Sequence, residues 1–219
     1  MGVSAAQGSA GLKSGVCTST TRPSNPFEGQ MIYETDTDLT YIYGGSAWQQ
    51  ESGGTAVGNS GLVYVTSATV GTGVSTVTVS NAFNSTYDNY LVLYSGGTAS
   101  TSTNISLALG SSTTTYYQVL IYGSYAGSGP SIATTNNNRV AWAWCGGADT
   151  TFANMNMTLM QPYLALYTRV SANTYEGTNN TGSMTGIHKS STSYSAFTLS
   201  LDAGTLTGGT VTVYGYRKA

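Results

Sequence analysis

Beyond residue 61 the carboxylates are Asp88, Asp149, Glu176 and Asp202, and a glycoside hydrolase would need two of them facing each other across a sugar. Their sequence neighbours argue for another role. Asp88 lies in a tyrosine-rich turn, Asp149 follows Gly146-Gly147, and Asp202 precedes Ala203-Gly204. At such loop tips aspartate is favoured because it hydrogen-bonds its own backbone. His188 is the only histidine, so a Ser-His-Asp or Cys-His relay would have to use it, and no nucleophile elbow leads into a helix anywhere. One histidine and two distant cysteines, Cys17 and Cys145, do not compose a zinc site, and the pair reads as free thiols. Asp36 and Asp38 offer two oxygens without the alternating ligands of a calcium loop, and a hairpin turn accounts for both. Neither catalysis, nor a metal, nor a cofactor is expected.

Recognition by contact has more to work with. Trp142, Trp144, Tyr116, Tyr122 and Tyr125 are side chains that stack on sugar faces, and Asn136, Asn137 and Asn138 can hydrogen-bond hydroxyls. Val140, Trp142 and Trp144 alternate with alanines, which reads as a strand whose tryptophans pack in a core or between subunits. Residues 122–138 (YGSYAGSGPSIATTNNN) read as a long, polar, aromatic loop, the segment best suited to touch a glycan.

These residues sit in an unusual chain. Charged residues make up 7% of it, against about 25% in an ordinary soluble domain, and the formal net charge is -2. Its surface must therefore be mostly Ser, Thr, Asn, Gln, Gly and Tyr hydroxyl, which suits packing in an assembly or contact with sugars. The 7 Lys and Arg are scattered, so the clustered cations that hold a nucleic-acid backbone are missing. With 40% hydrophobic residues and 17 tyrosines, a chain of 219 residues can build a core without disulfides. Absence of disulfides fits synthesis in a reducing cytoplasm. No export signal is read at the start, and no apolar run approaches the roughly 18 residues of a membrane span.

Period-two alternation organises the rest. Residues 1–20 hold almost no large apolar side chain and read as a flexible arm that orders on a partner. Residues 21–50 read as a β-hairpin: Met31, Tyr33 and Thr35 alternate with Ile32 and Glu34, Asp36-Thr37-Asp38 turns, and Thr40 and Ile42 alternate with Tyr41 and Tyr43. Residues 51–61 read as a Gly/Ser linker. From 62 to 219 there follow eight to ten short strands, among them Ser75 to Ser80, Tyr90 to Tyr94, Tyr117 to Tyr122, Met155 to Leu159, Leu164 to Val170 and Thr210 to Arg217. No window keeps helical spacing. The fold class is all-β, a hairpin region followed by an antiparallel jelly-roll β-sandwich.

Two stretches carry a resemblance. The run PSNPFEGQMIYETDTD, an aromatic strand and then GGSAW, over Pro23 to Trp48, resembles a hairpin of tailed-bacteriophage virion proteins: fibre, decoration and tail subunits. Phe83, Tyr87-Asp88-Asn89-Tyr90 with LVLYSGG, MTGIHK at Met184 to Lys189, and TGGTVTVYGYR at Thr207 to Arg217 are arranged like the jelly-roll modules of phage head fibres and tail tips. No heptad seam, collagen-like repeat or long β-helical repeat accompanies them, so a fibre shaft is not encoded. The resemblance implies a non-enzymatic structural part of a virion. Its partners would be capsid, portal or tail subunits, and it would be a homotrimer. The first 50 residues would anchor it, with Phe27, Ile32, Tyr33, Tyr41, Tyr43 and Trp48 filling a neighbour's grooves. An alternative role is a lectin-like tip that recognises host surface glycans through Tyr122, Tyr125, Asn136, Asn137 and Asn138. A polysaccharide depolymerase comes last.

Overall fold

The structure is a computed structural model that describes residues 15–51, 61–127, 129–176 and 180–218, the side chains of 133–137 and 175–176 aside. No helix occurs among the described residues. The chain divides into two compact units, Met1–Ser60 and Gly61–Ala219.

In the first unit β1 (Gly15–Cys17), β2 (Met31–Glu34), β3 (Leu39–Tyr43) and β4 (Trp48–Glu51) form a 4-stranded sheet in chain order. β2, β3 and β4 are antiparallel, and β1 lies parallel to β2 with Val16 opposite Tyr33. The expected hairpin thus gains a strand on each side. Gly15–Cys17 belongs to the stretch expected to stay disordered without a partner, and β4 runs to Glu51, where the linker was expected to begin. The apolar count behind the first expectation overlooked main-chain pairing, which needs no large side chains. Residues 1–14 and 52–60 lie outside the described residues.

The second unit is entirely antiparallel. Its strands are β5 (Leu62–Thr69), β6 (Thr76–Val79), β7 (Asn89–Ala99), β8 (Thr103–Leu109), β9 (Tyr116–Ser124), β10 (Ser131–Arg139), β11 (Trp142–Ala148), β12 (Ala153–Met160), β13 (Thr168–Glu176), β14 (Asn180–His188), β15 (Phe197–Leu201), β16 (Leu206–Thr207) and β17 (Thr210–Tyr216). One layer runs β5-β17-β7-β12 and the other β6-β15-β8-β11. That interleaving of early and late strands is the jelly roll. Hairpins β9-β10 and β13-β14 are inserted after β8 and after β12, and they extend the first layer past β12 in the order β13-β14-β9-β10. These insertions explain why there are more strands than the sequence suggested.

Two local readings are corrected. Residues 122–138 are no long loop: they run from the end of β9 through a short turn into β10, with Ile132 paired to Ile121. The serines, glycines and asparagines that imitate a loop are tolerated because β10 is an edge strand. The tryptophan strand does not alternate as expected either. Val140 is exposed, Trp142 and Ala143 are both buried, and Trp144 adopts φ 59, with the β8-β11 register shifting between Trp142 and Gly146.

The core fills the space between the layers with alternate side chains: Tyr90, Val92, Tyr94, Met157, Leu159, Val211 and Val213 from one, Val79, Leu107, Leu109, Phe197 and Leu199 from the other. Phe83, Tyr87, Tyr90 and Gly215 meet at one corner. Phe83 packs edge-on to Tyr90 at 4.9 Å and stacks on Phe197 at 5.7 Å. The Tyr90 hydroxyl accepts from the amide of Asn84 at 2.8 Å and donates to its carbonyl at 2.8 Å. Asp88 pairs with Lys218 at 2.8 Å. Tyr87 lies over Gly215 so closely that a Cβ there would stand 2.3 Å from the ring, which is why the last strand reads Tyr-Gly-Tyr. Gly215→Ala is expected to destabilise the second unit by about 1–3 kcal/mol through overpacking. In thermal denaturation, pairing it with Tyr87→Ala should give less than the summed loss, since the clash then has no partner.

Candidate functional site

The attachment region expected at residues 21–50 is built on an inward-facing acid. Ile32 and Glu34 point to the same side of β2; Ile32 is 1% exposed and the Glu34 side chain is fully buried. A buried carboxylate needs a partner. Arg22 supplies it from the preceding segment, its Nε donating to Glu34 Oε1 while its guanidinium lies 4.3 Å from the centre of the Tyr41 ring. Thr37 Oγ1 donates to the other carboxylate oxygen at 2.9 Å. Next to it Asp36 accepts from the Ser19 amide at 2.9 Å and the Ser19 hydroxyl at 2.5 Å, and the Thr35 amide donates to the Cys17 carbonyl at 3.0 Å. Asp36 is therefore more than a turn residue, because it ties the segment after β1 to the hairpin. The Arg22 bond holds the Glu34 carboxyl below the usual range, and the Ser19 hydroxyl and amide do the same for Asp36.

Cross-strand partners share a face, so the register assigns the expected anchor residues. Ile32, Tyr41, Tyr43 and Trp48 lie on the Arg22 side, where Tyr43 meets Trp48 edge-on at 5.4 Å. Ile32 is buried within its own unit and is corrected from an outward anchor to a core residue. The other face carries Val16, Met31, Tyr33 and Ile42. Val16 is 71% exposed, Met31 is exposed, and Tyr33 donates to Asp38 at 2.8 Å. Phe27, 70% exposed in the turn that leads into β2, also points outward. Sequence reading missed Arg22, Ser19 and Val16. The available signal was Glu34 sharing the face of Ile32, an acid that demands a cation.

In the second unit each described carboxylate is engaged locally. Asp149 accepts from the Thr151 amide and hydroxyl, both at 2.6 Å, and from the Phe152 amide at 3.1 Å, which holds its carboxyl below the usual range. Asp202 accepts from Ser106 at 3.3 Å. The side chain of Glu176 lies outside the described residues. His188 is fully buried, bonded through Nε2 to the Tyr194 hydroxyl at 2.7 Å and through Nδ1 to Thr115 Oγ1 at 3.1 Å, and stacked on Tyr116 at 4.2 Å. Both of its nitrogens face hydroxyls, and burial lowers its pKa. Cys145 is buried, donates to the Trp142 carbonyl at 3.4 Å, and has its thiol pKa pushed up by burial. Cys17 and Cys145 are both free. Among the described residues no three His, Cys, Asp or Glu side chains converge as metal ligands.

The residues expected to touch a glycan separate. Tyr125 is 72% exposed in the β9-β10 turn, Tyr122 is half-buried, and the Asn138 side chain accepts from the Thr115 amide. The side chains of Asn136 and Asn137 lie outside the described residues.

The pKa shifts predict distinct acid responses. The unfolded chain takes up a proton on His188 below about pH 6.5, whereas the folded chain resists it. Stability of the second unit is thus full above that value and falls as pH drops below it. The first unit contains no histidine and keeps its Glu34 and Asp36 contributions until pH falls below about 4. Amide exchange at pH 7, 5.5 and 4.5 should show protection falling first in the second unit, with His188→Phe flattening that early loss.

Comparisons with protein-family models, with curated proteins and with solved structures return no match for this chain.

Proposed function

We propose that the chain is a non-enzymatic structural subunit of a tailed-phage particle, a fibre, appendage or decoration component. The first unit docks it to capsid, portal or tail subunits, and the jelly roll is left exposed. The observation that carries this reading is the exposed apolar area of the small sheet among the described residues. The sheet is stiffened from one side by the Arg22–Glu34 pair, while Val16, Met31 and Phe27 present apolar area outward. Such a face gains by burial against a neighbour, roughly 25 cal/mol for each Å² removed from water. Among the described residues β1 is the edge of that sheet, the position at which a neighbour's strand would add.

The surrounding chemistry supports the same role. With 7% charged residues the surface has little repulsion to oppose dense packing. Phe83, Tyr87, Tyr90 and Gly215, among the residues on which the resemblance to phage jelly rolls rests, pack together at one corner. A non-enzymatic reading is supported by Asp149 and His188, whose hydrogen-bonding groups are taken up by turns and neighbouring hydroxyls. We place the subunit in the virion, after synthesis in the host cytoplasm, as a homotrimer.

In particles assembled with variant subunits, deletion of residues 1–50 is expected to abolish incorporation. Val16→Asp combined with Phe27→Asp should lower it at least about tenfold, equivalent to ~1.4 kcal/mol, while Tyr125→Ala leaves it unchanged. Normal incorporation of both N-terminal variants would refute the docking role. Sedimentation equilibrium of the full chain should return three times the chain mass.

A further inference from the structure

Two exposed cations of the second unit have no acid to pair with among the described residues. The ion pairs there are Arg22–Glu34 and Asp88–Lys218, and neither includes Arg169 of β13 or Lys189, which lies just past β14. The register sets these two side by side. Arg169 pairs with Ile187, and Ile187 with Tyr117. Alternation sends Thr168 and Val170 into the core while Arg169 faces out. Lys189 follows Ile187 by two residues on that outer face, diagonal to Arg169, with its ammonium 4.4 Å from the centre of the Tyr117 ring. Diagonal neighbours in a sheet stand about 7–8 Å apart, so the two like charges repel.

The acids of the unit lie elsewhere. Asp88 is taken by Lys218. Asp149 precedes β12, and it is the far end of that strand, Met160, that pairs with Arg169. Asp202 shares the Asp149 end, since its amide donates to the carbonyl of Asn104, the partner of Gly147. Glu176 closes β13, and strand rise puts its main chain about 23 Å from that of Arg169.

Beside Arg169 the surface holds an open groove of about 330 Å³, lined by Arg169, Gln161, Leu166, Tyr167 and Ser191. Its walls are the β12–β13 connection and the segment after β14. Hydrogen bonds join them: the Tyr194 amide donates to the Pro162 carbonyl at 2.9 Å, and the Ser193 hydroxyl to the Tyr163 carbonyl. Gln161 opens the connection at φ 64, a left-handed conformation unusual for a residue with a side chain, and its amide donates to the Asp88 carbonyl at 2.7 Å. The groove is thus built before any ligand arrives, which lowers the cost of binding. Leu166 and Tyr167 are 50% and 46% exposed, so both offer surface to an occupant.

These groups define the occupant. A guanidinium presents parallel N–H donors that fit a carboxylate. One lining cation matches one negative charge, and the Lys189 ammonium strengthens the field around it. Leu166 and the Tyr167 ring offer apolar surface to C–H groups, while Gln161 and Ser191 can exchange hydrogen bonds with hydroxyls. We propose that this groove binds a carboxylated pyranose, a hexuronate unit of an acidic polysaccharide. Its carboxylate sits on Arg169 and one face of its ring on Tyr167. The site belongs to the second unit alone, so it and the docking role can each fail without the other.

The full chain should be titrated with the methyl glycosides of glucuronic and galacturonic acid, with methyl glucoside and inorganic phosphate as controls. Saturation-transfer NMR and amide shifts of residues 161–169 report binding. At least one uronide is expected to bind, more weakly as salt rises, and the neutral glucoside at least tenfold more weakly still. Arg169→Gln is expected to weaken the uronide at least tenfold while leaving the thermal midpoint equal or higher, because it removes an unpaired charge. Should that variant fail to fold, Tyr167→Ser is the test, with at least a fivefold loss expected. Absence of binding by both uronides overturns the proposal, as does binding that is unchanged in the variant tested or matched by the glucoside. Phosphate that binds as tightly as the uronides marks an adventitious ion only and also overturns it.

Discussion

Buried tyrosines that give their hydroxyls to the main chain of a turn hold this molecule together. Tyr90 secures the Asn84 turn through both its amide and its carbonyl, Tyr94 donates to the Gly208 carbonyl at 2.8 Å, and Tyr116 accepts from the Leu109 amide at 2.8 Å. All three rings are fully buried. Each supplies the apolar area of an aromatic ring and also answers a main-chain group that the turn would otherwise leave without a partner. In a chain with so few charges, this replaces the surface ion pairs with which most proteins tie down their loops. The described residues show two ion pairs, Arg22–Glu34 and Asp88–Lys218, and both clamp a segment next to a chain region that the sheets do not hold.

The two units use different physics for the same end. The second has two layers to bury between them and needs polar contacts only at corners. The first has a single sheet, too thin for a core of that kind, and it buries an acid instead. Glu34 is stable there because Arg22 and Thr37 bond its two oxygens, with Arg22 itself held over the Tyr41 ring. The arrangement buries Ile32 and Glu34 on one face of the sheet, while Val16 and Met31 on the other are exposed among the described residues.

Much of this was legible in the sequence. Alternation of Val77 with Thr78, of Leu107 with Ala108, and of Val211 with Thr212 marked half-buried strands. The jelly-roll class followed from strand number and spacing. β14 was harder, since between Asn180 and His188 only Met184 and Ile187 are large apolar residues and three of the others are Gly or Ser. That strand is held by pairing on both edges, which a single-sequence pattern does not display. The hairpin at 122–138 was hidden because edge strands tolerate loop-like composition. Trp144 was misplaced because a positive φ at tryptophan has no sequence signature, and it reverses the side on which every later residue of the strand is expected. The Arg22–Glu34 pair spans 12 positions across a proline-containing segment, so the acid was visible while its partner was not.

The pairing of β5 with β17 joins the first and last strands of the second unit. Such a sheet cannot close until nearly the whole unit has left the ribosome, whereas the first unit pairs only near neighbours and can form while synthesis continues. The small sheet is thereby complete while the sandwich that follows it is still open, and the two units acquire their structure at different stages of synthesis.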